Sequence, residues 1–348
     1  MFLKLGWLGF GGPAAHLALM EREIVRDRGW LEPGEFLDLI GAANLIPGPN
    51  STEVALYVGL RRGGWRGLLL SGAGFISPAV LLVLGCAWAY TRFGALPPVE
   101  GVLRGVAPVV VAVVVHALWS FGRAAVRSPL LGAIGVGAVA GRLVGMAEIP
   151  VLLGAGLLTL VASRIPVRGR QLPSVELTTA AGLFLFFLKV GFFVFGSGYV
   201  LLAFLQSGLV RSGWLTQRQL LDAIAIGQAT PGPVFTTATF VGYLLDGVPG
   251  ALAATAGIFL PAFVLVPASA ALLPRLQSVP AARSFLDGVN VGAVALLVVV
   301  AVELAKGGLR SPIAVLAACL ALALLWRGVS AAWLMLGGAL LGFLSVLR

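Results

Sequence analysis

Asn44-Leu-Ile-Pro-Gly-Pro-Asn-Ser-Thr-Glu53 sets amides and hydroxyls on both sides of a backbone that cannot continue a helix. Pro47 and Pro49 have no N–H to donate, and Gly48 between them is free to take positive φ. Asn50, Ser51 and Thr52 suit the start of a new helix, and Glu53 stands three places after Asn50, the spacing of a capping box. Gln228-Ala-Thr-Pro-Gly-Pro-Val-Phe-Thr-Thr237 repeats the device. The chemistry on offer is that of an oxyanion site. A helix N-terminus presents unpaired N–H groups and about half a positive charge. Around two such ends, Asn44, Gly48, Asn50, Ser51, Thr52, Gln228, Gly232, Thr236 and Thr237 could replace the hydration shell of a dianion without adding charge. A pair of kinks with ordinary caps would use the same residues. Broken helices in matching places of two half-chains are nevertheless the best sequence pointer to a transporter's binding site.

Ionisable groups inside apolar runs come next, since each costs about 2.5–3.5 kcal/mol to insert. Lys4 and Lys189 hold equivalent places in two first segments and would balance a dianion, although Lys4 could also snorkel to the surface. His16, Glu21 and Glu53 are the candidates for proton coupling. The plainer alternatives are a packed histidine and a cap partner. Gly11, Gly12 and Ser197, within Gly11-Gly-Pro13 and Gly196-Ser-Gly198, would let bare amides approach a ligand, or let helices pack tightly. The sequence has no run of paired acids, no His–Glu metal spacing and no phosphate-cradling Gly-Lys motif. No catalytic or metal residue and no cofactor is therefore expected. Cys86 and Cys319 both lie in apolar runs and read as inert core residues.

The elements that must hold these residues are membrane helices. Of 348 residues 59% are hydrophobic and 11% charged, where a soluble domain carries roughly a quarter charged. Long uncharged apolar runs recur from end to end, as a hydrocarbon core of about 30 Å demands. The net charge of +10 would point to nucleic acid in a soluble protein. Here Lys and Arg gather in short loops, which fits orientation in a cell (inner) membrane and excludes a nucleic-acid partner.

The chain repeats itself. Phe2-Leu-Lys-Leu-Gly6 matches Phe187-Leu-Lys-Val-Gly191, and Trp30-Leu31 matches Trp214-Leu215. Asp38 matches Asp222, Gly74 with Pro78 matches Gly257 with Pro261, and Arg127-Ser-Pro129 matches Arg310-Ser-Pro312. The reading is a duplicated and fused gene, with an N-terminal repeat over 1–165, a linker over 166–177 and a C-terminal repeat over 178–348. Each half should hold a first span (2–20 or 178–205), a charged connector, a broken segment (35–60 or 217–245) and three or four further spans. The pieces 35–46 and 50–60 are each too short to cross. Together they could cross once, or dip in and return as a hairpin; if they return, about five crossings remain per half and the second half is inserted upside down. Placement of Lys and Arg favours this and puts Arg164–Arg170 in the cytoplasm. The expected fold is thus an all-α polytopic membrane protein of two inverted repeats, each with about five helices and a re-entrant or broken hairpin.

Phe10-Gly-Gly-Pro-Ala-Ala-His16, Trp30-Leu31 and Asn44-Leu-Ile-Pro-Gly-Pro-Asn-Ser-Thr52 closely resemble the chromate ion transporter family. Phe195-Gly-Ser-Gly-Tyr199 and Gln228-Ala-Thr-Pro-Gly-Pro233 resemble its second-half counterpart. The resemblance covers essentially the whole chain. It implies a plasma-membrane carrier that moves chromate outward, coupled to protons and conferring chromate resistance, with halves in opposite orientation. Sulfate, an isosteric dianion, is the natural alternative substrate. A homodimer is a fair expectation. Two other classes compete: a passive oxyanion channel, which would show linear flux, and an intramembrane lipid-pyrophosphate phosphatase, which would want an arginine beside His16 and Glu53.

Overall fold

The computed structural model describes residues 1–9, 12–44, 46–162, 179–195, 200–276 and 280–346, and among these no strand occurs. The linker at 166–177, Arg164–Arg170, Gly11 and Ser197 fall outside the described residues.

The first helices are short and turn back. α1 (Phe2–Leu8) is followed by α2 (Gly12–Glu21) and a π-helical turn at Arg22–Arg26. Lys4 pairs with Glu23, 19 residues on, although a continuous helix would hold them about 28 Å apart. The stretch 2–20, expected as one interrupted span, is therefore a hairpin. α3 (Pro33–Ala43) and α4 (Asn50–Phe93) flank the first Pro-Gly-Pro. Arg61 pairs with Glu35, 26 residues earlier, where a straight helix would need about 39 Å. Arg62 also sits 4.8 Å over the Trp30 ring. Residues 35–60 thus return to the level at which they set out, because the prolines and Gly48 leave no helical route through the break.

A second fold follows at once. α4 is interrupted at Gly63 (φ −144°, ψ 23°) and Gly64 (φ 55°, ψ −144°), so residues 50–62 form a short arm and 65–93 a long one. Gly59 lets the arms touch, since a Cβ there would run into the Gly67 carbonyl. The second half repeats this with α8 (Ala180–Phe193), α9 (Val200–Leu205), α10 (Gln217–Ala229) and α11 (Thr237–Leu276). Asp246 (φ −147°, ψ 33°) and Gly247 (φ 56°, ψ −146°) make the same corner. The Thr239 and Thr255 hydroxyls bond at 2.7 Å across 16 residues, about 24 Å of straight helix. A left-handed φ at Gly64 and Gly247 explains the glycine at both corners.

Each half then continues with one long helix, α5 (Pro97–Ala125) or α12 (Pro280–Gly308), and a short pair. These pairs are α6 (Pro129–Leu143) with α7 (Glu148–Ala162), and α13 (Pro312–Trp326) with α14 (Ala331–Val346). Among the described residues four helices are long and apolar enough to cross a membrane: Asn50–Phe93, Pro97–Ala125, Val234–Ala270 and Ser284–Gly308. Several shorter apolar helices accompany them, so this is a polytopic helical membrane protein. The expectation of about five crossings per half counted 2–20 as a span, and the hairpin removes it. α5 and α12 run antiparallel: Gly122 faces Val294, while Gly308 faces Val111 and Ala107.

The halves are interlaced. α6 and α7 pack on α12, and α13 and α14 pack on α5. Small residues make this possible; a Cβ on Gly105 would meet the Gly338 carbonyl, and one on Gly288 the Ala155 carbonyl. The hairpins form the other body, in which α1 packs on α4, α8 on α11, and α4 on α11.

The hairpin at 35–60 is directly testable. With Cys86 and Cys319 replaced by alanine, cysteines at Glu35→Cys and Arg61→Cys should be joined by a short bis-maleimide and appear as one crosslinked peptide by mass spectrometry. Recovery of the two peptides only as separate monoadducts would mean that the segment runs straight.

Candidate functional site

A Pro-Gly-Pro triplet has one backbone N–H, on its glycine. Buried, that group must find an acceptor or cost about 1–3 kcal/mol. A short helix that stops inside the protein leaves unpaired carbonyls at its end. The structure solves both problems at once, and across the two halves. Gly48 N–H donates to the Val194 carbonyl at the end of α8, 2.8 Å away, and Gly232 N–H donates to the Gly9 carbonyl at the end of α1, also 2.8 Å. Both glycines have positive φ, 142° and 95°. The four residues form two equivalent pairs, since Gly9 and Val194 are 185 apart and Gly48 and Gly232 are 184 apart. The two tips thus share one interface.

His16 ties this interface together on one side only. It is 2% exposed. Its Nε2 lies 2.8 Å from the Gly9 carbonyl, which can only accept, so Nε2 carries a proton. Nδ1, 3.1 Å from the Ser51 hydroxyl, is then the acceptor in the neutral ring. The imidazole also meets the edge of Phe75 at 5.5 Å. A chain of bonds therefore runs from Ser51 through His16 and the Gly9 carbonyl to Gly232. The second-half counterpart of His16 is Leu201, which cannot repeat it.

The capping box expected from Asn50 and Glu53 does not form. Pro49 is the cap residue, its carbonyl accepting from Thr52 N–H (2.6 Å) and Glu53 N–H (3.3 Å). Asn50 instead donates its amide to Asn44 Oδ1 at 2.5 Å. Glu53 lies against Gly48, where a Cβ would collide with its carboxyl, and both its oxygens are buried with no hydrogen-bond partner. The capping boxes stand at the other end of each hairpin. Glu32 N–H donates to Glu35 Oε2 (2.9 Å), and Thr216 and Gln219 bond reciprocally (2.8 and 3.1 Å).

Of the residues chosen from sequence, Asn44 and Asn50 line a cavity of about 580 Å³ that also touches Arg127, Asp287, Asn290 and Phe195. It runs from Arg127 and Asp287 to Leu297, midway along α12. The start of α4, at Asn50, abuts it with its positive end. Arg127 spends its Nε on the Ala124 carbonyl (2.7 Å) and is otherwise exposed. Ser51, Thr52, Thr236 and Thr237 are buried behind the tips. Thr236 and Thr237 donate to the Pro233 and Val234 carbonyls, both at 2.8 Å. Gln228 is 9% exposed, with its amide nitrogen unpartnered.

The charged candidates lie elsewhere. Lys4 pairs with Glu23, and this bond, helped by Arg28 and Arg22, holds the Glu23 carboxyl below the usual carboxylate range. Lys189 is exposed on α8 and lines none of the described cavities. Glu21 pairs with Arg26 at 3.0 Å on the surface. Gly12 begins α2. Three polar cavity residues escaped the sequence reading. Arg127 was visible in the repeat but read as loop charge, while Asp287 and Asn290 are polar residues in an otherwise apolar stretch of α12, the signal that marked Lys189.

The tip geometry predicts a sharp contrast between glycines. Gly232→Ala puts a Cβ 2.7 Å from that of Ala79 at φ 95°, a strain on the order of 1–3 kcal/mol. It should lower the thermal midpoint in detergent by several degrees. Gly85→Ala, on the long arm with nothing within 4 Å of the new methyl, should leave the midpoint unchanged or raise it.

Comparison with known proteins extends over the same residues. The family described as chromate transporter matches residues 1–160 and 181–343. A chromate transport protein of Cupriavidus metallidurans is 32% identical over 366 residues, covering 99% of this chain and 91% of the relative. A probable chromate transport protein of Synechococcus elongatus is 32% identical, covering 94% and 88%. A chromate transport protein of Pseudomonas aeruginosa is 32% identical, covering 88% and 80%. No solved structure matches the chain. The motifs, the paired hairpins and these relatives agree, and the chain belongs to the chromate transporter family, a family of transporters and not of enzymes.

Proposed function

We propose that this chain is a secondary active carrier of chromate, with sulfate as an alternative dianion, working across the inner membrane by alternating access. The observation that carries the reading is the cavity at the first tip. There Asn44, Asn50, Asn290 and Arg127 converge with the positive end of α4 on a space suited to a tetrahedral dianion. The repeats 1–165 and 178–348 lie inverted about the linker, with Arg164–Arg170 in the cytoplasm. Antiparallel α5 and α12 and the reciprocal glycine bonds support this. Because each half's short helix pair packs on the other half's long helix, the moving units are the hairpin body and the α5–α7 with α12–α14 body, not one repeat against the other. A passive channel would share this anion site but show linear, non-saturating flux and no proton coupling.

Proton coupling is assigned to Glu53 and His16. A charged Glu53 would need a partner that the present packing does not supply, so a change at the tip and a change in its proton go together. His16 would pass the same change to Gly232 through the Gly9 carbonyl. Lys189 and Lys4 contribute to the field rather than to contact, and a homodimer is compatible with the exposed apolar faces.

Purified protein in liposomes should take up labelled chromate with saturation, faster under an imposed pH gradient, and sulfate should compete. Arg127→Gln and Asn290→Ala each remove a hydrogen bond to a charged ligand, about 1.5–3 kcal/mol. Each should raise KM about tenfold or more with a smaller effect on the maximal rate. Glu53→Gln should keep chromate–chromate exchange and lose the response to the gradient. Linear uptake without competition would favour a channel, and an undiminished gradient response in Glu53→Gln would remove that residue from coupling.

A further inference from the structure

Resting on the carrier reading above, we infer that a second, smaller cavity is the shut opposite mouth of the same pathway. Its gate is α10, latched by Tyr90–Asp222 and Arg218–Glu100. The cavity, of about 280 Å³, is lined by Leu103, Arg104 and Ala107 of α5, Gly307, Gly308 and Arg310 at the end of α12, and Arg218 and Asp222 of α10. Six of these residues, those of α5 and of the end of α12, have counterparts in the wall of the first cavity. Leu286, Asp287 and Asn290 stand 183 places after Leu103, Arg104 and Ala107, and Ala124, Ala125 and Arg127 stand 183 places before Gly307, Gly308 and Arg310. The two cavities are therefore one structural feature made twice. Arg104 and Ala124 are about 20 residues apart on one helix, or about 30 Å, the thickness of a hydrocarbon core. They open at opposite ends of α5.

What differs is the hairpin. In the first cavity the tip residues Asn44 and Asn50 form part of the wall, and α3 stays clear, packing on α4 and α11. In the second, α10 packs on α5, α12 and α14 as well, and α3 makes no comparable packing with α12, α5 or α7. Three bonds hold α10 there: Tyr90 donates to Asp222 at 2.8 Å, Arg218 pairs with Glu100 at 2.9 Å, and the Gln217 amide donates to the Glu303 carbonyl of α12 at 3.3 Å. The Asp38–Asp222 repeat reports the same asymmetry, because Asp38 is exposed and Asp222 is 3% exposed. Gln228, the counterpart of Asn44, is sealed off beyond Asp222 with its amide nitrogen unpartnered. Swinging α10 away from α5 would wet Gln228 as Asn44 is wetted now. The arginines at 104, 218 and 310 would then line the mouth that receives or releases the dianion.

The test is sidedness of labelling in proteoliposomes, in a background with Cys86 and Cys319 replaced by alanine. Ala125→Cys should react with a membrane-impermeant maleimide from one face, and Ala107→Cys slowly and from the opposite face only. Tyr90→Phe or Glu100→Gln should raise the rate at Ala107→Cys about tenfold and lower it at Ala125→Cys. The swapped pair Glu100→Arg with Arg218→Glu should restore the parent rates, which a damaged fold would not. Labelling of both positions from one face, or rates at Ala107→Cys unmoved by every latch variant, overturns the proposal. Because labelling needs no anion, a failure of chromate uptake with this pattern intact would count against the substrate and not against the gate.

Discussion

One backbone N–H per half governs this architecture. The prolines at 47, 49, 231 and 233 remove every other donor from the two breaks, so Gly48 and Gly232 must each be satisfied from outside their own hairpin. The acceptors are carbonyls that α1 and α8 leave unpaired at Gly9 and Val194, each belonging to the other half. Neither hairpin can withdraw from the interface without orphaning its one buried donor. That constraint brings the two tips together and makes the molecule one unit, although its sequence is two copies of one design.

Around this shared interface the two copies have diverged where chemistry is concerned. The first tip carries His16, Ser51 and Glu53; the second has Leu201, Phe235 and Thr237 at the matching places. The hydroxyl of Thr237 turns back to its own backbone, while Glu53 is left with a carboxyl that nothing binds. The ionisable groups buried at the tips thus stand on one copy only. The interlacing of α6 and α7 with α12, and of α13 and α14 with α5, has a related consequence. It builds a frame from both halves beside hairpins that also come from both halves.

Much of this was legible in the residues. Proline and glycine rules alone located both breaks, and the length of the pieces showed that neither part of 35–60 could cross alone. The repeat offsets paired Asp38 with Asp222 and Arg127 with Arg310 before their places were known. The misreadings have physical causes. The segment 2–20 looked like a span because its break falls between two apolar helices, and hydropathy does not register that Lys4 and Glu23 meet. Asn50 and Glu53 have the spacing of a capping box, but Pro49 takes the cap, Asn50 reaches back to Asn44 and the Glu53 carboxyl is left unpartnered. Thr236 and Thr237 suit a ligand by type, yet each satisfies itself on a carbonyl three residues back.

By itself the sequence determined the membrane environment, the helical class, the duplication, the two breaks and the family, because hydropathy, backbone donors and ordered motifs are properties of local segments. Only the tertiary structure decided that the first segment doubles back and that each glycine is bound by the opposite half. It alone showed that Arg127 and Asn290 line one cavity with Asn44, and that α10 packs on α5, α12 and α14 while α3 packs on α4 and α11. Those are matters of which distant groups meet. Two copies of nearly the same segment offer the same contacts to both halves, and packing chooses between them.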